Sequence, residues 1–151
     1  MNDGRLIGSF NFFLRSPVIS TGFTEWVDVE SAQSTISTRV RQIIILIIGI
    51  AWKTHYEIYA HAAIGKAADL DDSIIGSLKS GRHLLRLNSQ ELAANRFTSQ
   101  LSSQHCIDNQ TYLQAIESLK EQGVADMVRL IGTYLATSAF SNALEVPDPR
   151  Q

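Results

Sequence analysis

The sequence has one cysteine, Cys106, so no intramolecular disulfide can form and the fold does not rest on an oxidising compartment. It also lacks any dense cluster of Lys or Arg, and its formal net charge is -2. That balance leaves no electrostatic footprint for nucleic acid. Long apolar runs are missing too: the longest, Ile43 to Trp52, falls short of the ~20 residues that a bilayer-crossing helix needs. The segment from Arg5 to Leu14 is interrupted by Gly8, Ser9 and Asn11, and it has no basic start or small-residue cleavage pattern, so no signal peptide is expected. Only three prolines occur. Pro17 suits the first turn of a helix, and Pro147 and Pro149 end regular structure. The expectation is a cytoplasmic protein with no nucleic-acid or membrane partner, whose partners are small molecules or further copies of itself. With 151 residues, one domain over 1–151 is expected, its core spanning about 17–146.

Periodicity and punctuation suggest a series of helices. Val18 to Val29 reads as a moderately amphipathic helix, and the Ser/Thr-rich stretch Ser31 to Ser37 as a connection. Tyr56 to Ala68 is rich in alanine, a strong helix former. Asp71 can cap a short helix running through Leu78, with Gly81 as its stop. Arg82 to Asn88 reads as a loop, and Ser89 to Ser102 as a helix with Leu92, Phe97 and Leu101 on its apolar side. Asp108 can cap Gln110 to Gln122, where Tyr112, Leu113, Ile116 and Leu119 fall at helical spacing. Gly123 would separate it from a long helix, Val124 to Leu144. The stretch Ile43 to Ile50 is the exception. Its β-branched residues favour a buried strand by propensity.

From Arg39 onward the chain resembles the carboxymuconolactone decarboxylase-like family, which includes the alkylhydroperoxidase D-type proteins. Arg41-Gln42-Ile43-Ile44-Ile45-Leu46 is similar to the family's Arg-Glu-Leu-Ala-Ile-Leu. Tyr56-Glu57-Ile58-Tyr59-Ala60-His61 is similar to its Tyr-Glu-Trp-x-x-His. Ala67-Ala68-Asp69-Leu70 stands at its Ala-Gly-Leu turn, and Ala143-Leu144-Glu145-Val146-Pro147 at its Ala-Phe-Glu-Val-Pro ending. The resemblance implies an all-α, single-domain helical bundle of the alkylhydroperoxidase D-like type, with the Arg41 stretch on a central buried helix. That outweighs the strand propensity of Ile43 to Ile50, since one isolated strand would leave its backbone groups unpaired.

The same resemblance divides the possible chemistries. Peroxidase members place two cysteines where this chain has Thr54 and Glu57. A thiol peroxidase needs a thiolate and a resolving thiol, so that activity is not expected; Cys106 lies outside the motif. The family's relay Glu stands at Gln42, and a glutamine can hold a hydrogen bond but cannot give up and recover a proton at neutral pH. The decarboxylase branch carries Glu and His where Glu57 and His61 stand. The resemblance therefore implies a cofactor-free lyase or proton-transfer isomerase, acting on a small carboxylated lactone or carbonyl compound. Self-assembly through helical faces into a homo-oligomer is implied as well.

Four residues apart on a helix, Glu57 and His61 share one face and can meet. A carboxylate orients a neighbouring imidazole, and such a couple can take and return a proton near neutral pH. Loss of CO2 from a carboxylated lactone leaves an enolate, which must be stabilised and then protonated. Glu57 and His61 are thus the candidate catalytic pair. Gln42, Trp52, Thr54 and Tyr56 are candidate supporting or pocket residues, Trp52 as a flat apolar wall and Tyr56, with Tyr59, as a phenol donor. The plainer reading of the pair is a helix-face contact adding some tenths of a kcal/mol. His55, Glu57 and His61 do not form the His-Glu-x-x-His pattern, and His55 and His61 fall on different flanks of a helix, so no metal site is expected. His83 and His105 read as solvated or capping residues. A non-catalytic oligomeric scaffold or small-ligand binder is the alternative to an enzyme.

Overall fold

The computed structural model describes residues 15–80 and 87–147, and every regular element among them is a helix. The helices are α1 (Pro17–Gln33), α2 (Thr38–Ala51), α3 (His55–Ala67), α4 (Asp72–Ser80), α5 (Ser89–Gln104) and α6 (Asn109–Ala143). The expected stop at Gly81, the loop as far as Arg86, and His83 lie outside the described residues. None of the described helices is long and apolar enough to cross a membrane.

α2 is the centre of the fold. Ser37 accepts a hydrogen bond from the Val40 N–H and starts the helix. Gln42 through Gly49 are all buried, because α3, α5 and α6 pack around α2 and α4 covers a further part. Ile44, Ile45 and Ile48 join Phe97, Met127 and Leu130 in one core cluster, while Ile43, Leu46 and Ile47 join Leu70, Ile74 and Ile75 in a second. A run that is isoleucine-rich on all sides forms a helix here because its surroundings bury every face of it. The local β preference of each residue is worth less than that burial.

The reversal after α2 is tight. Lys53 takes a left-handed φ of 55°, and the Thr54 N–H reaches back to the Gly49 carbonyl at 2.8 Å, the closing pattern of a helix C-terminus. Gly49 then allows α3 to lie close against α2: a Cβ there would sit 3.3 Å from Ile58 Cγ1 and 3.5 Å from Glu57 Cβ. α3 ends the same way. Asp69 has φ 63°, and the Leu70 N–H bonds the Gly65 carbonyl at 2.9 Å. A non-glycine residue in this conformation is strained by about 1 kcal/mol. Asp69→Gly should therefore raise the melting temperature by no more than roughly 2–4 °C, measured by thermal unfolding; glycine keeps the backbone carbonyl that accepts from Arg39 but loses the attraction of the Asp69 carboxylate for its guanidinium.

Side-chain caps begin α4, α5 and α6. Asp71 Oδ1 accepts from the Ile74 N–H at 2.9 Å. Asn88 and Glu91 form a reciprocal capping box at α5, and Arg39 binds the buried Glu91 at 2.7 Å. Asp108 accepts from the Thr111 N–H at 2.7 Å. The break expected at Gly123 falls instead at Lys120, whose φ of 64° and ψ of 172° make a kink between two helical halves of α6. Gly123 has a different job: a Cβ there would stand 3.0 Å from Leu119 Cβ, so its lack of a side chain lets the two turns close up. Tyr112 and Leu113, placed on an apolar stripe by spacing, are 46% and 55% exposed; the face of α6 that packs inward passes through Ala115 and Ile116.

Candidate active site

α1, α3 and α6 line a partly open cavity of about 310 Å³. Each contributes one helical face. Phe23, Thr24, Val27 and Asp28 come from α1. Tyr56, Glu57, Ala60, His61 and Ile64 come from α3, and Thr133, Tyr134 and Thr137 from α6. These positions recur every three to four residues, the spacing that keeps side chains on one side of a helix. α1 is tied across α6 by Trp26 Nε1, which donates to Thr133 Oγ1 at 3.0 Å, and by an edge-on contact of the Phe23 and Phe140 rings.

Glu57 and His61 meet at the cavity wall. Glu57 Oε2 lies 3.3 Å from His61 Nε2, and their side chains are only 5% and 12% exposed. On the other side of the ring, Gln42 Oε1 lies 2.8 Å from His61 Nδ1. An amide oxygen only accepts, so Nδ1 carries the hydrogen of that bond. Nε2 faces Glu57 Oε2 at 3.3 Å, so the two side chains are placed to pass a proton between them. Gln42 is buried behind the ring and does not itself line the cavity. A Cβ at Gly65 would stand 3.7 Å from Gln42 Cβ, which shows how closely α3 approaches Gln42.

Tyr134 completes the surroundings of His61. Their rings meet edge to face at 5.1 Å and 87°. Burial pushes the Tyr134 phenol up to about 12; Arg41, which hydrogen-bonds it, partly offsets this, and Glu57 and Glu30 add to it. The phenol therefore stays protonated at every physiological pH. Arg41 is itself held by Glu30 through two hydrogen bonds, one at 2.9 Å, with side chains 12% and 5% exposed. The Tyr56 phenol also lies above its ordinary value, from burial first and then from Glu57 and Tyr59.

The structure thus brings Gln42, Tyr56, Glu57 and His61 together. Trp52 and Thr54 are not part of the cavity wall. Trp52 caps α2 in the tight turn, where it is 41% exposed and its carbonyl accepts from Asn142 Nδ2 at 2.7 Å; the aromatic wall is supplied by Phe23 instead. Thr54 begins α3 and is 2% exposed, its hydroxyl enclosed without a hydrogen-bond partner. No protein-family model matches the chain, and no curated protein matches it either. The geometry is therefore the ground for assigning chemistry. Cys106 is exposed in the α5–α6 connection, next to His105 at φ 61°. Among the described residues, no group of three or more His, Cys, Asp or Glu side chains is arranged to hold a metal ion. Sequence reasoning missed Tyr134, the Glu30–Arg41 pair and the whole α1 wall. The available signal was a Tyr on the apolar C-terminal half of α6 and an acid near the end of α1, neither of which points to a site on its own.

Proposed function

We propose that the chain is a carboxymuconolactone decarboxylase-like enzyme of the alkylhydroperoxidase D-like fold type, working by general acid/base proton transfer on a small carboxylated lactone or carbonyl compound. One observation carries this reading: a buried carboxylate–imidazole pair opens onto a cavity of about 310 Å³, a volume in the range of small-molecule sites. Glu57 and His61 act as proton acceptor and donor. Gln42 fixes the ring from behind, a task that does not require the relay carboxylate it replaces. Asp69 supports the family reading from outside the site, because its left-handed φ is the conformation a glycine at that turn would adopt. The absence of cysteine at Thr54 and Glu57 argues against thiol peroxide chemistry. Assembly into a homo-oligomer is part of the proposal, and Val18 and Ile19, 85% and 74% exposed on α1, supply apolar surface for it.

The test is a product assay by NMR over a panel of carboxylated lactones and cyclic enones, without added thiol reductant. Turnover of at least one member by the native chain, lost in Glu57→Gln, is expected. A panel left untouched, or turned over equally by Glu57→Gln, would contradict the proposal.

A further inference from the structure

The cavity is short of positive charge. Among the described residues, its lining includes the carboxylates of Asp28 and Glu57 and no Lys or Arg. Arg41 reaches Tyr134 from behind, but Glu30 already holds its guanidinium. His61 offers no free N–H to an anion, since Nδ1 is taken by Gln42 and Nε2 faces Glu57. An entering carboxylate would therefore meet the Glu57 carboxylate with no basic side chain on the wall to answer it. A cation would have to compete with His61 for Glu57, since the two lie 3.3 Å apart, and Asp28 is exposed to water at the rim. What remains for a ligand is an apolar surface, formed by Phe23, Val27, Ala60 and Ile64, and a few hydroxyls. Among these, Tyr134 stands out. Its ring meets that of His61 edge to face at 5.1 Å, and its phenol, protonated at physiological pH, can donate a hydrogen bond.

We infer that the cavity takes an uncharged carbonyl compound, its oxygen held by the Tyr134 hydroxyl and its acidic C–H turned toward Glu57 and His61. The inference rests on the proton-transfer reading and narrows it to isomerisation of a neutral ketone or enone. The Glu57–His61 pair takes a proton from the carbon next to the carbonyl. The C–H electron pair becomes the C=C bond of an enolate, and the carbonyl π electrons move to the oxygen, which Tyr134 stabilises by hydrogen bonding. The same pair returns the proton to a different carbon of the conjugated system, and the C=O bond re-forms. No atoms or electrons are gained or lost, and no co-reactant is needed.

Two probes of matched shape test this: 4-methylcyclohexanone and 4-oxocyclohexanecarboxylate. Binding to the full chain is followed by NMR at neutral pH, using the ring signals of His61 and Tyr134. The ketone is expected to bind at least about tenfold more tightly than the carboxylate, and Tyr134→Phe to weaken ketone binding by about tenfold, the loss of one hydrogen bond. Equal or tighter binding of the carboxylate overturns the inference, as does failure of both probes to perturb these signals. Because the comparison in the native chain needs no variant, it stands even if Tyr134→Phe folds poorly. Ketone binding through Tyr134 with no turnover anywhere in the panel would sink the enzyme reading and the isomerisation step while leaving the ligand chemistry intact.

Discussion

Glu57→Gln and His61→Ala are each expected to lower turnover by about 10²–10⁴-fold, the usual contribution of a positioned acid or base. Glu57→Gln keeps size and hydrogen-bonding atoms but cannot hold a proton in exchange with His61 Nε2. His61→Ala removes the partner altogether and leaves Glu57 buried without its counter-charge. Because the two side chains face each other at 3.3 Å, they should act as a unit. The double variant is then expected to be no worse than the poorer single variant, the non-additivity typical of coupled catalytic groups. Steady-state kinetics on a substrate from the product panel, with far-UV circular dichroism to confirm folding, checks this. Independent, multiplicative losses would mean that the pair is structural and that another group moves the proton.

The second large effect is on stability. Arg41→Met should destabilise the fold by about 3–5 kcal/mol, because it strands the Glu30 carboxylate in a buried site. That corresponds to a fall in melting temperature of roughly 6–20 °C for a chain of this size. Adding Glu30→Leu should recover most of the loss, since two apolar side chains of similar volume replace a desolvated ion pair at little or no net cost. Denaturant unfolding of the single and double variants measures both steps. If the single substitution costs less than about 1 kcal/mol, the pair is solvated rather than buried. The double variant also loosens Tyr134, which leans on Arg41, so its activity should stay low even where its stability returns.

These two expectations differ in how far the sequence alone leads to them. The contact between Glu57 and His61 was legible from their spacing of four on one helix, while the family resemblance is what marked the pair as a site. Gln42 was legible through the family resemblance, since nothing in its local sequence places it 2.8 Å from a histidine on another helix. Tyr134 and Glu30 were not legible, because their roles depend on how α1 and α6 fold back over α3. The helical state of Ile43–Ile50 ran against its local preference for a related reason. Propensity reports what a residue favours on a half-buried surface, whereas this segment has neighbours on every side. Trp52 shows the opposite hazard: an aromatic close in sequence to the pair is carried away from it by a three-residue reversal. Displacement of the α6 break to Lys120 shows that a glycine marks close packing as readily as a break.

The central claim is that the Glu57–His61 pair exchanges a proton with a molecule bound in the cavity. Deuterium exchange tests it without knowledge of the full reaction. 4-Methylcyclohexanone is incubated with the protein in D2O, and loss of the signal from the hydrogens next to the carbonyl is followed by NMR. The native chain should accelerate exchange well above the buffer rate, and Glu57→Gln should return it to that rate. Exchange at the buffer rate with the native chain, or equal acceleration by the variant, would contradict the account.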